Sequence, residues 1–213
     1  MKLLVTAGAT REAIDPVRYL SNVSTGGTGA ALATALAERG HAVTLLHGEG
    51  AMRPAGEVAA ESFLSAEDLR ARLQSLLGEG NYDAVIMAAA VADYRPATFA
   101  TEKISSASET LVLNLVRNPK ILPQISSYSP HPLKVIGFKL TVGADAAARE
   151  KAVTDQFTAG GVDAVVHNDL EEIRAATGHP FRLFIGPEKA PQELMGVAAL
   201  AHALDEYLGP RTP

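Results

Sequence analysis

The sequence predicts an open, mostly parallel α/β sheet, Rossmann-like, in three layers with helices on both faces. Three observations carry that prediction. Short continuous apolar runs recur at 2–7, 42–48, 84–90, 134–138 and 162–169; alanine- and leucine-rich stretches with helical spacing lie between them; and glycine or polar tails follow the runs. Apolar runs of this length bounded by turn residues read as strands buried on both faces, and joining them through helices requires parallel pairing with right-handed crossovers.

Each element has its own reason. Residues 2–7 form a buried strand that glycine ends at position 8. A long polar connection then leads to Gly26, too long for a mere turn and therefore a candidate for function. Residues 28–39 read as a helix that Gly40 stops, and 42–48 as the second strand. VAAESF offers a short third strand. Residues 65–77 begin with Ser65 and carry Asp68 three positions on, an N-cap pattern ahead of a leucine stripe, so a helix is expected there. After the strand at 84–90, residues 95–118 leave the rhythm: the alternation of Leu111, Leu113 and Leu115 predicts a half-exposed strand in an excursion. Pro119 fits the first turn of a short helix ending near Ser126. A strand at 134–138, a helix at 144–159 closed by Gly160 and Gly161, and the strand at 162–169 complete the main sheet. A short edge strand at 181–186 and a helix over 191–208 starting at Pro191 follow. One domain, 1–208, is expected, with 95–118 as a flap or dimerisation excursion and 209–213 as a frayed tail.

Composition narrows the function classes. There are 24 acidic and 19 basic residues, a net charge of −5, which argues against broad nucleic-acid binding but leaves room for a local phosphate pocket. The absence of cysteine excludes disulfides, thiolate metal ligands and thiol catalysis, and favours a cytoplasmic location. The first apolar run is too short for a signal or membrane-spanning segment. A nicotinamide reductase is disfavoured, because no GxGxxG occurs, the second strand ends in Leu46-His47-Gly48 without a ribose-binding carboxylate, and there is no Tyr-x-x-x-Lys pair. The six histidines show no ligand-like spacing.

Ligands of open parallel sheets bind beyond the carboxyl ends of the strands, and the polar motifs concentrate there. TAGATREAIDPVRYLSN followed by STGG, AAAVADYRP at 88–96, EKI at 102–104, RNPKIL at 117–122, GFKL at 137–140 and VVHND at 165–169 stand in an order that resembles the phosphopantothenoylcysteine synthetase family over roughly 3–170. The resemblance implies a ligase. The carboxylate of 4'-phosphopantothenate attacks the α-phosphate of CTP or ATP with Mg²⁺, pyrophosphate leaves, and the amine of L-cysteine then displaces the nucleotide. Asn22 stands at the family's asparagine that contacts the acyl-nucleotide, and Lys103 at its flap lysine for the cysteine step. Gly8, Met87, Ala88, Ala89, Asp93, Pro119, Lys120, Ile121, Leu122 and Phe138 match nucleotide-binding positions; Ser24, Thr25, Gly26 and Lys139 are the candidates for phosphate or substrate contacts. No metal ligands are assigned.

The chain departs from the family where Gly27, Gln156 and Gly160 replace lysines common in other members. Each lost cation at a buried phosphate contact forfeits about 1–3 kcal/mol. The alternative reading is a nucleotide- or phosphopantothenate-binding protein of the same fold without catalysis. The resemblance also implies a homodimer, no flavin on this chain, and a separate flavin-dependent decarboxylase as pathway neighbour. No nucleic-acid or membrane partner is expected.

Overall fold

In the computed structural model, which describes residues 1–209, strand β1 (Lys2–Ala7) occupies the interior of the sheet and ends at Gly8. The connection after Gly8 is structured. It contains an antiparallel hairpin, β2 (Arg11–Asp15) and β3 (Arg18–Ser21), before helix α1 (Gly27–Glu38). The reason is local: Asp15 Oδ1 accepts the N–H groups of Val17 (2.9 Å) and Arg18 (2.8 Å), an Asx turn that folds the chain back.

Strands β4 (Ala42–Gly48) and β5 (Ala59–Phe63) extend the sheet on one side of β1. Helix α2 (Ala66–Glu79) starts as the sequence predicts: Ser65 Oγ accepts Asp68 N (3.2 Å), and Asp68 Oδ2 accepts Leu64 N (2.8 Å). The buried Glu12 of the hairpin takes a further first-turn donor, Ala66 N, at 2.9 Å. Strand β6 (Ala84–Met87) is shorter than the apolar run 84–90, since Ala88 N folds back to Ile86 O (3.3 Å) and pairing resumes only as the isolated bridge of Ala90 with Ala9.

Three elements differ from what their sequences predict. The alternation at 111–115 does not form a strand; pairing is confined to β7 (Tyr94–Pro96) with β8 (Leu115–Arg117), and Leu111, Val112 and Leu113 are all exposed. Without a surface to bury against, alternation has no force. Pro119 does not open a helix. A 3-10 turn runs over Leu122–Tyr128 instead, with Pro123 at its start. The predicted helix over 191–208 is divided into β12 (Gln192–Met195) and α5 (Gly196–Leu208), because 192–195 pair antiparallel with β11 (Pro180–Phe184) and Glu193 meets Arg182 at 2.8 Å.

Between these, β9 (Lys134–Thr141) continues past 138, α3 (Ala146–Thr158) follows, and β10 (Ala164–Asp169) leads into the short helix α4 (Leu170–Ala175). The eight-stranded order is β12-β11-β10-β9-β6-β1-β4-β5, parallel except for the β10–β11 and β11–β12 pairs. Alternate residues pack opposite faces. Leu3, Val5 and Ile136 pack against α1 and α5 through Leu32, Leu36 and Leu204, while Leu4, Val85 and Val135 meet Leu69, Leu73 and Ile125 of α2 and the 3-10 turn. Chain direction across the sheet reverses between β1 and β6, which opens a crevice at their carboxyl ends.

Candidate functional site

A cavity of about 490 Å³ occupies that crevice. Its floor is the start of α1, its wall the backbone after β6, and its far side the ends of β9 and β10; Asn22, Ser24–Gly29, Ala88–Ala90, Phe138, Leu140 and Asn168 face it.

The N-cap residue of helix α1, Gly26, offers no side-chain cap and the first turn holds no acidic residue; Thr25 Oγ1 accepts Gly27 N (3.3 Å), and the N–H groups of Thr28 and Gly29 precede the first helical bond, Ala30 N to Gly26 O. These two N–H groups have no helical partner, and the helix start presents partial positive charge to the cavity. Gly26 makes this approach possible. Its φ of 76° suits glycine, and a Cβ there would lie 2.9 Å from Ala51 Cβ and 3.1 Å from Gly8 N. Gly8 therefore lies beneath the helix start, shaping it without lining the cavity.

The alanine wall is pinned by buried hydroxyls. Thr6 Oγ1 accepts Ala89 N (3.1 Å), Thr10 Oγ1 accepts Ala92 N (3.0 Å), and Gly8 O accepts Ala90 N (2.7 Å). Met87 is buried behind this wall, its sulfur accepting from Thr6. Asn22 Nδ2 donates to Val91 O (3.2 Å), which ties the amide to the same wall and leaves its second N–H and Oδ1 for a ligand.

Not every candidate faces the cavity. Phe138 and Leu140 do, so Lys139 between them lies on the opposite face of β9, beside His167 of β10. The strand's continuation to Thr141 is what separates Phe138 from Lys139. Asp93 and Lys120 are paired with each other and exposed. Pro119 and Ile121 line a second, smaller cavity of about 180 Å³ with Arg70, Arg95 and Asn118, and Leu122 begins the 3-10 turn. Lys103 is exposed and outside the cavity lining. Gln156 lies under Gly137, its Nε2 donating to Phe138 O at 3.5 Å.

Asn168 stands in the VVHND motif at the carboxyl end of β10 and was assigned no role from the sequence. Its Nδ2 donates to Nε2 of His179 (2.9 Å), whose ring stacks on Phe181 at 4.1 Å. Burial lowers the His179 pKa and keeps the ring neutral, so Nε2 can accept. Among the described residues no charged side chain lines the cavity. The arrangement is suited to a group whose negative charge is met by backbone N–H groups, beside a carbonyl met by neutral amides.

On the other face of the sheet, Asp169 accepts from Thr141 Oγ1 (2.6 Å), Ala144 N, Gly143 N and Glu171 N, bonds that hold its carboxyl well below the usual range despite burial. Thr141 Oγ1 in turn accepts from His167 Nε2 (2.8 Å), and burial followed by Arg149 and Arg182 pushes the His167 pKa down to about 4. Because the folded Asp169 pKa lies below its unfolded value, the stabilisation is present above about pH 4 and is lost as pH falls further. Asp169→Asn is expected to cost about 2 kcal/mol at pH 7, a Tm loss of about 4–8 °C. Thermal melts across pH should show the gap from wild type narrowing below about pH 4.

Among the described residues no three acidic or histidine side chains gather as a metal site, and no helix is long and apolar enough to cross a membrane. Residues 1–190 match the model of the DNA/pantothenate metabolism flavoprotein C-terminal domain family. The coenzyme A biosynthesis bifunctional protein CoaBC of Thermococcus kodakarensis is 37% identical over 170 residues, covering 80% of this chain and 41% of that protein. This chain thus spans about two fifths of the length of such curated relatives. Among solved structures, the DNA/pantothenate metabolism flavoprotein of Streptococcus pneumoniae superposes with a TM-score of 0.86 at 28% identity, covering 98% of both chains. The C-terminal domain of a CoaBC protein superposes with a TM-score of 0.73 at 26% identity, covering 95% of this chain and 91% of that one.

Proposed function

Because the chain belongs to the DNA/pantothenate metabolism flavoprotein C-terminal domain family, we propose that it joins 4'-phosphopantothenate to L-cysteine through an acyl-nucleotide intermediate. The observation that carries the reading is the convergence of Asn22, the glycine-rich start of α1 and the Ala88–Ala90 backbone on one cavity whose described lining is uncharged. In the first step a carboxylate oxygen of phosphopantothenate bonds to the α-phosphorus and the bond to pyrophosphate breaks. First-turn N–H groups of α1 meet phosphate charge without a cation. In the second step the cysteine nitrogen bonds to the acyl carbon and the acyl C–O bond breaks, releasing the nucleoside monophosphate. The Asn22 amide donates to the carbonyl oxygen as charge develops on it. Lys103 supplies the cation for this second step when its segment approaches the cavity. Mg²⁺ would enter bound to the phosphates of the nucleotide. The product is a substrate for the flavin-dependent decarboxylase expected as pathway neighbour.

Exposed apolar side chains on the small hairpins, among them Val17, Tyr19, Leu115 and Val116, support a homodimer, and light scattering of the purified chain is expected to give twice the chain mass. Pyrophosphate release, assayed with 4'-phosphopantothenate, Mg²⁺ and either CTP or ATP, is expected with one of the two nucleotides, and a cysteine-containing product should follow. The second reading, a protein that binds these ligands without ligating them, is favoured by one feature: the positions of Gln156 and Gly160 supply no charge. Failure to release pyrophosphate with both nucleotides, while each still raises Tm, would establish that second reading.

A further inference from the structure

The far end of the cavity depends on a residue that stands behind its lining. His179 directly precedes β11 and is held at three points. Its ring stacks on Phe181, a fully buried core side chain, with centroids 4.1 Å apart and planes 10° from parallel. Its carbonyl accepts Gly196 N (2.8 Å), which anchors the backbone to the start of α5. Its Nε2 meets Asn168 Nδ2 at 2.9 Å, and Asn168 lines the cavity whereas His179 does not.

An amide nitrogen can only donate, so Nε2 accepts and the ring proton sits on Nδ1. That bond fixes which end of the Asn168 amide points which way. The NH2 end is committed to His179, and Oδ1 has no hydrogen-bond partner among the described residues. The lining around it differs in kind from the start of α1. Leu140 is the register partner of Asn168 on β9, and Phe138 stands two residues back on the same face, so this end offers apolar surface with one free acceptor. A nucleotide crosses such a cavity with its phosphates on the helix start and its base on the apolar side.

We propose that His179 is a positioning residue for base selection: by holding the Asn168 amide with its carbonyl toward the cavity, it favours a nucleotide whose base carries an exocyclic amine. Cytosine and adenine carry that amine. Uracil and hypoxanthine have a carbonyl in its place, which would set two acceptors against each other and leave both without a donor. The assignment rests on the reading above in that the cavity takes a nucleotide, but it does not require that ligation follow.

The test compares CTP with UTP, and ATP with ITP, on the full chain, by calorimetric titration and by pyrophosphate release. Wild type is expected to bind the amine member of a pair about tenfold or more tighter than its carbonyl counterpart. His179→Ala frees the amide to turn and should bring that ratio within about threefold of one. His179→Lys places a group there that only donates, so Oδ1 turns toward it, the NH2 end faces the cavity, and the ratio should fall below one. A general change in affinity or stability moves both members of a pair alike and cancels in the ratio. Variants that keep the wild-type ratio overturn the proposal, as does a wild type that binds both members equally or binds neither. If His179→Ala does not fold, the His179→Lys ratio decides alone. If wild type releases no pyrophosphate with any of the four nucleotides, the ligase reading falls, while the binding ratios still decide the part His179 plays.

Discussion

Asn22→Ala is expected to lower the rate of ligation about 10²–10³-fold while leaving Tm within a degree or two of wild type. The side chain is exposed at the cavity and makes one side-chain hydrogen bond, to Val91 O, so its removal costs the fold little. In the proposed reaction, what is lost is a neutral donor beside a carbonyl whose oxygen becomes negative as cysteine attacks. Neutrality matters as much as donation. The cavity lining offers backbone N–H groups and, among the described residues, no side-chain cation, so in the proposed function Asn22→Asp would set a fixed negative charge against a phosphorylated ligand with nothing to screen it. Asn22→Asp should therefore fall below Asn22→Ala, both in rate and in the Tm gain that nucleotide and phosphopantothenate give. Steady-state kinetics with thermal shift on the two variants checks the order. Equal or better activity in Asn22→Asp would remove the carbonyl role from this residue.

The parallel sheet was legible because buried strands must be apolar on both faces, and 2–7, 42–48 and 164–169 leave no other way to satisfy their backbones. The β2–β3 hairpin was not, since strands of four and five residues carry too little period to read. Its turn did leave a mark: Asp15 before Pro16 is a turn-initiating pair, and Asp15 supplies the Asx turn. The leucines at 111–115 misled for the opposite reason, a clear period with no surface to bury it. At the site, the family resemblance named Asn22, Ala88, Ala89 and Phe138, the small-residue helix start suggested Ser24–Gly26, and the cavity gathers them. Strand length then divided Phe138 from Lys139. Period 2 places adjacent residues on opposite faces, and the alternation reaches 139 only once the strand is carried to Thr141. Asn168 was placed at a strand end within VVHND but given no role, because its hydrogen bond is to His179, eleven positions on, a contact that no local pattern encodes.

Gly29 couples this packing to the chemistry, and Gly29→Val is the substitution expected to damage both. A Cβ at 29 would lie 2.6 Å from Ala7 Cβ, 3.2 Å from Ala7 Cα and 3.1 Å from Thr6 O. These are main-chain atoms of β1 or the first side-chain carbon on it, so no rotamer change makes room, and α1 must move outward. Overpacking of this kind costs about 1–3 kcal/mol, a Tm loss of about 3–10 °C in a chain of this size. The functional loss should be larger than the stability loss. The first-turn N–H groups of α1 move with the helix, and a misplacement near 1 Å at a reacting centre is worth about 10²-fold in rate. Ala31→Val, on the exposed face of the same helix, carries the same β-branched cost without the clash and should remain active. At a temperature where both variants are fully folded, Gly29→Val is thus expected to lose about 10²-fold in pyrophosphate release and most of its nucleotide-dependent Tm gain. If Gly29→Val instead matched Ala31→Val in rate, the close approach of α1 to β1 would be a matter of stability alone, and the helix start would not be what holds the phosphates.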